Sequence, residues 1–165
     1  MKIIRYWEVS EEELTEFYSS LSSEKETFRT PLRALLNSEI LLAERVEGEI
    51  AGICGLIKSR LLPRMYLVVK EKYQGRGIGK KLHERLEERV ENHYTSVKVI
   101  VGKRNTRALR IFKKKSYDVA REDEEFYYLI RLTKFRIFQP IVVLLFKLAS
   151  KANLLRYRLT CKGKL

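Results

Sequence analysis

The sequence predicts an α+β domain: a mixed, mainly antiparallel central sheet flanked by helices, followed by a basic, apolar helical extension. Three observations lead there. Short β-branched or apolar runs alternate with helical patterns over residues 1–133. Two of those runs, EILLAERV and IAGICGLIK, are separated only by Glu47-Gly48-Glu49, a hairpin spacing. From residue 134 onward the pattern changes to aliphatics mixed with cations and no acidic residue.

In chain order, KIIRYWEV predicts a first strand, and Ser10 with Glu13 forms a capping box that opens a helix running to about Leu21. Pro31, with its fixed φ, suits the first turn of a second, short helix. The hairpin follows, and then MYLVVK, a central strand with Pro63 tolerated just before its start. From Gly77 to about Glu91, apolar residues recur at Ile78, Leu82, Leu86 and Val90, one stripe on an otherwise charged helix. SVKVIV predicts a strand, NTRALRIFKKK a helix and EFYYLIRL a last strand.

Composition narrows the class. The 165 residues are 45% apolar and 10% aromatic, enough for one compact domain with a sizeable core. The first residues, MKIIRYWEVSEEE, lack the apolar run of a secretion signal, so a cytoplasmic protein is expected, peripheral to a membrane if the extension binds one. Cys54 and Cys161 lie far apart with no CxxC or histidine companion, which fits a reducing compartment and no metal site. The net charge of +13 is uneven: nine Lys or Arg and no acid follow Phe126, leaving +4 for the first 125 residues.

Chemistry concentrates in YQGRGIGKK, residues 73–81. A strand, a glycine-rich turn and a helix start bring backbone N–H groups together with the positive end of a helix dipole. Glycines at 75, 77 and 79 allow those amides close to an anion. Helix N-termini favour acidic residues, yet this one carries Arg76, Lys80 and Lys81, an arrangement that a bound polyphosphate would reverse from cost to gain. A flexible turn leading into a solvated basic face is the other reading. The nucleotide signatures do not fit: Gln74 stands where a Walker A loop needs its first glycine, and Lys80 where a Rossmann GxGxxG needs its third.

The stretch MYLVVKEKYQGRGIGKKL resembles motif A of the GCN5-related N-acetyltransferase (GNAT) family. The hallmark [QR]-x-x-G-x-[GA] is present as Gln74, Gly75, Arg76, Gly77, Ile78 and Gly79. About 25 residues on, NTRALRIFKKKSYDV resembles the family's Asn-x-x-Ala helix, and the likeness spans roughly residues 3–133. It implies a GNAT-like acyl-CoA N-acyltransferase fold in residues 1–133, with residues 134–165 as an appendage. It also implies acetyl-CoA as cosubstrate, no metal, and a primary amine of a small molecule or protein as acceptor. A non-catalytic acyl-CoA-binding or membrane-associated module that retains the fold is the alternative.

By that resemblance, the backbone of Leu67, Val68 and Val69 pairs with the pantetheine arm, and the amides of Gly75 through Lys80 hold the pyrophosphate. Asn105 lies near the pantetheine or acetyl end, and is equally an N-cap. Arg107, Arg110, Lys113 and Lys114 are candidates for the nucleotide phosphate; lysines in a last helical turn also favour the dipole. Three positions depart from the family. Phe112 stands where many members carry a tyrosine general acid, Ile100 where some carry a glutamate base, and Ser116-Tyr117 replaces Gly-Phe. Catalytic residues are therefore unassigned, with Tyr66, Tyr117, Tyr127, Tyr128, Glu39 and Glu44 as polar candidates near the strands and His83 and His93 read as exposed. Acetyl transfer by positioning alone, with backbone polarising the carbonyl, needs none of them.

In the extension, Pro140 is placed for a helix start and Ile141, Leu144, Leu145 and Leu148 fall at helical spacing. The apolar run is too short to span a bilayer. Its cations are Lys134, Arg136, Lys147, Lys151, Arg156, Arg158, Lys162 and Lys164. A homodimer seam, an anionic membrane surface and packing on the domain itself are the expected partners, while so many aliphatics disfavour a nucleic-acid arm.

Overall fold

The computed structural model describes residues 3–5, 9–22, 24, 28–59, 62–134 and 136–149. Its elements are β1 (Ile3–Arg5), α1 (Glu11–Ser19), α2 (Leu32–Leu36), β2 (Ile40–Val46), β3 (Glu49–Ile57), β4 (Arg64–Val69), α3 (Ile78–His93), β5 (Ser96–Gly102), α4 (Thr106–Lys114), β6 (Asp118–Glu122) and β7 (Phe126–Leu132). A final helix, α5, covers residues 139–149. The seven strands form one sheet in the order β1-β2-β3-β4-β5-β7-β6. Every neighbouring pair is antiparallel except β4 and β5, which run parallel.

Local chemistry accounts for most of these elements. Ser10 Oγ accepts from the N–H of Glu13 while the Glu13 carboxylate accepts from the N–H of Ser10, closing the expected capping box on α1. The β2–β3 hairpin turns on Glu47 and Gly48, both at positive φ (52° and 89°), as a two-residue turn matched to strand twist requires. Pro31 stands at the N-cap of α2, just ahead of its first helical residue.

Period-two alternation sorts the strands onto two cores. Leu41 and Ala43 of β2, with Tyr66 and Val68 of β4, pack under Leu14, Phe17 and Leu35 of α1 and α2. Leu42 and Met65 face the other way, toward Ile78, Leu82, Leu86 and Val90 of α3. That stripe is buried as its spacing predicts.

Two findings were not anticipated. Strand β6, DVARE, carries three charged side chains and gives no strand signal; it exists as an edge strand because β7 supplies its ladder, with an irregularity between Val119 and Arg121. His83, expected on the surface, is buried, because Phe112 of α4 closes over that side of α3 at a centroid distance of 5.1 Å. Part of the predicted first strand and the last residues of the extension lie outside the described residues.

Candidate functional site

The sheet opens where its one parallel pair gives way. β4 and β5 are in register only at Arg64↔Lys98 and Met65↔Val99. Beyond these, the β5-facing edge of β4 has no strand partner among the described residues, which leaves an edge that an extended ligand can pair with. A cleft of about 740 Å³ fills the gap, lined by residues 64–69, residues 73–75 and 77–80 of the loop and helix start, residues 99–102 of β5, the N-cap Asn105, and Ala108 and Phe112 on α4.

The glycine loop forms one end of it. A 3₁₀ turn (Glu71–Tyr73) leads into Gly75 and Gly77, both in the left-handed region at φ 80° and 79°. A Cβ at either would meet nothing within 4 Å, so conformation and not crowding demands glycine there. Gly77 is the N-cap of α3; no side chain caps the helix and its first turn contains no acid. The opening amides therefore have no partner within the helix or from a capping side chain. Gly79 differs from the other two: it lies inside the first turn, and a Cβ there would make ordinary contacts of 3.5 and 3.7 Å with Val69 and Leu67.

The side chains around the loop divide into builders and exposed cations. Gln74 Nε2 donates to the Val69 carbonyl at 3.1 Å, tying the loop to the end of β4. Tyr73 donates to the Glu49 carboxylate, which also meets Lys70 and Lys72; bonds from Lys72 and Tyr73 pull the Glu49 pKa down to about 2. The Arg76 guanidinium stands 5.3 Å over the Tyr73 ring. Lys81 turns away to the fully buried Glu44, at 3.4 Å, so the basic cluster of the loop reduces to Arg76 and the exposed Lys80.

On the opposite wall Asn105 caps α4, its Oδ1 accepting from the N–H of Ala108 at 3.0 Å. Arg107 and Lys114 line the cleft, whereas Arg110 and Lys113 sit around a separate shallow depression on the helix. Phe112 is buried with its ring edge-on to His83 and Tyr117, each at 5.1 Å. Ser116 adopts φ 61°, a conformation that a glycine takes without strain; a serine there costs on the order of 1 kcal/mol.

Of the polar candidates, Tyr66 alone borders the cleft, and its hydroxyl shares a 2.8 Å hydrogen bond with Ser38. Gly55 makes room for that ring: a Cβ there would fall 2.4 Å from the Tyr66 hydroxyl and 2.2 Å from the Ile40 carbonyl. Tyr117 donates to Met65 Sδ and is held neutral by burial. Tyr128 is engaged with Asp123 at 2.7 Å, and Tyr127 lies under Lys103. Glu39 and Glu44 do not line the cleft, and His93 is exposed as expected. Cys54 is buried and its thiol is pushed far up by desolvation. Among the described residues no cluster suited to a metal ion occurs.

Three cleft residues escaped sequence reasoning. Glu24 is buried and accepts from the backbone N–H groups of Ser22 and Glu71, which brings the α1–α2 connection against the loop. Arg29, from the same connection, lies 4.4 Å over the Phe126 ring. His83 is the third; burial lowers its pKa to about 4, so the imidazole is neutral at pH 7. The first two belong to a segment without motif or periodicity. For His83 the only signal was its place beside Leu82 on the α3 stripe.

An open strand edge running into an uncapped, glycine-opened helix N-terminus agrees with the acyltransferase fold that the resemblance implied. The chain belongs to the GCN5-related N-acetyltransferase family: the profile described as acetyltransferase (GNAT) domain matches residues 7–137. Solved structures share the fold. The GNAT domain of S. lividans PAT has a TM-score of 0.62 at 16% identity, covering 78% of this chain and 88% of that one. The PaiA N-acetyltransferase from Thermoplasma acidophilum, solved in complex with coenzyme A, has a TM-score of 0.57 at 16% identity, with 80% and 99% covered. PH1933 from Pyrococcus horikoshii OT3 has a TM-score of 0.51 at 21% identity over 56% of this chain, which spans 64% of that protein. At these identities the likeness carries the fold alone. A comparison with curated proteins finds no match.

Proposed function

We propose that the protein is an acetyl-CoA-dependent N-acetyltransferase acting on a primary amine. The observation that supports this reading is the continuity of one cleft from the uncapped start of α3, along the open edge of β4, to the buried groups of the α1–α2 connection. The reaction forms a C–N bond as the thioester C–S bond breaks; the amine loses a proton and the departing sulfur gains one. The amides of Gly75 through Lys80 are suited to the pyrophosphate, and Leu67, Val68 and Val69 to the pantetheine arm. On this reading Gln74 positions the loop, Lys80 and Asn105 border the bound chain, and Arg76, held over Tyr73, adds the loop's other cation. Phe112 has no proton to give, so the amine and sulfur exchange protons through water, and the rate comes from positioning and backbone polarisation.

Acetyl-CoA at 100 times its Kd should stabilise the protein by about 2.7 kcal/mol, readily seen in a melting scan. Gly77→Val forces a β-branched residue into the left-handed region and adds methyl groups to the open cradle, so it should erase that shift. No shift in the parent, or an undiminished shift in the variant, overturns the binding assignment. Release of CoA across a panel of amines then tests turnover.

Phe112 favours a second reading, a binding module without catalysis, and a separate variant decides between them. If protons move through water, Phe112→Tyr alters the rate only modestly. A gain of about 10²-fold, the scale of general acid catalysis, would mean that the natural chain lacks a needed donor and would support the binder.

A further inference from the structure

Helix α5 presents its aliphatic side away from the domain to which it is fastened. Gln139 fastens it: its Oε1 accepts from the N–H of Leu132 at 2.9 Å, and its Nε2 donates to the Ser116 carbonyl at 2.6 Å and to Asp118 Oδ2 at 2.7 Å. Val143, four residues on and on the same side of the helix, is also buried. On the far side Ile141, Leu144, Leu145 and Leu148, spaced i, i+3, i+4 and i+7, are 54–59% exposed. The preceding turn adds Ile137 at 82% and Phe138 at 50%. A helix serving only its own core would show the reverse.

We propose that this face docks on an anionic phospholipid surface. Charge complementarity selects that occupant: residues 134–165 carry eight Lys or Arg and no Asp or Glu. Each cation near an anionic leaflet strengthens binding by about fivefold. A second copy of the chain would instead bring two such acid-free segments together. The domain itself is excluded as the cover because the stripe points away from it. The described part of α5, eleven residues, is about 16 Å long, short of the roughly 30 Å hydrocarbon core, and no helix among the described residues is long and apolar enough to cross, so the proposal places it in the interface plane. Apolar insertion by α5 and electrostatic attraction from the cations of residues 134–165 then act together, the combination by which interfacial helices bind reversibly.

Vesicle flotation of the full chain tests this. The probes are vesicles of equal parts phosphatidylglycerol and phosphatidylcholine, with phosphatidylcholine alone as the control. Flotation is expected with the anionic vesicles at low salt, and at least about tenfold less on the neutral ones or at 1 M salt, where the Debye length falls to about 3 Å. The double variant Leu144→Ser with Leu145→Ser should lose at least about tenfold in partitioning, since two inserted side chains are gone. Its melting temperature and acetyl-CoA response should stay unchanged, because both positions are exposed. Absent flotation, equal flotation of the variant, or equal binding to neutral vesicles each overturns the proposal. So does a salt-resistant dimer in light scattering that the double variant dissolves, which would make a second copy the occupant.

Discussion

Arg131→Met is expected to destabilise the protein by about 3–5 kcal/mol, toward the lower figure. Arg131 is 4% exposed on β7, where its guanidinium donates to Glu87 Oε1 at 2.8 Å and to Glu91 Oε1 at 2.6 Å and stands 5.1 Å over the Tyr117 ring. A buried pair roughly breaks even against apolar replacements, but a charge stripped of its partner does not. Methionine keeps most of the bulk and the contact with Tyr117, so the loss reports the stranded Glu87 carboxylate. Lys115 still bonds that carboxylate, which places the expected value at the low end. Adding Glu87→Leu removes the stranded charge, and the double variant should recover about 0.5–3 kcal/mol. Denaturant unfolding reads both: the midpoint should fall with the slope unchanged. A loss below about 1 kcal/mol would mean that water reaches the guanidinium.

Acidification should cost about 3 kcal/mol through His83 alone. Its imidazole is buried between Phe112 and the Glu87 carboxylate, and desolvation, with Lys115 and Arg131 nearby, holds its pKa at about 4 against an ordinary 6.5. Between those values the unfolded chain binds a proton that the folded chain refuses. The contribution is therefore complete above pH 6.5 and declines as pH falls to 4. His83→Leu isolates it, because every other titrating group is common to both proteins. The parent should lose about 3 kcal/mol more than the variant between pH 7 and pH 4. Equal losses would place the imidazole in contact with water. The two predictions are linked: with Arg131 removed, Glu87 faces His83 less compensated, and the histidine should titrate higher than in the parent.

The glycine-rich loop was legible in the sequence because its demands are local. Gly75 and Gly77 are read from the glycine pattern itself, and the left-handed angles they adopt depend on no distant residue; the basic start of α3 is read from Arg76, Lys80 and Lys81. The α3 stripe was legible for the same reason, since its periodicity refers only to the helix itself. Strand β6 was not, because its strand character lies in the ladder that β7 provides. Lys81 reads as a loop cation in the sequence, yet it belongs to Glu44, 37 residues away. Arg131 counts there as one more charge of a basic C-terminal half, and it is among the most buried polar residues of the domain.

The sequence by itself determined the α+β class, the family motif, the helical character of α5 and the one-signed charge around it, all properties of neighbouring residues. Tertiary structure alone decided the width of the β4–β5 opening, the entry of Glu24, Arg29 and His83 into the cleft wall, and the direction in which α5 faces. Each of those depends on which distant side chain desolvates or bonds a group. Gln139 is the plainest case: three hydrogen bonds to β7, β6 and the turn after α4 turn one side of α5 inward, and that leaves its aliphatic stripe facing out.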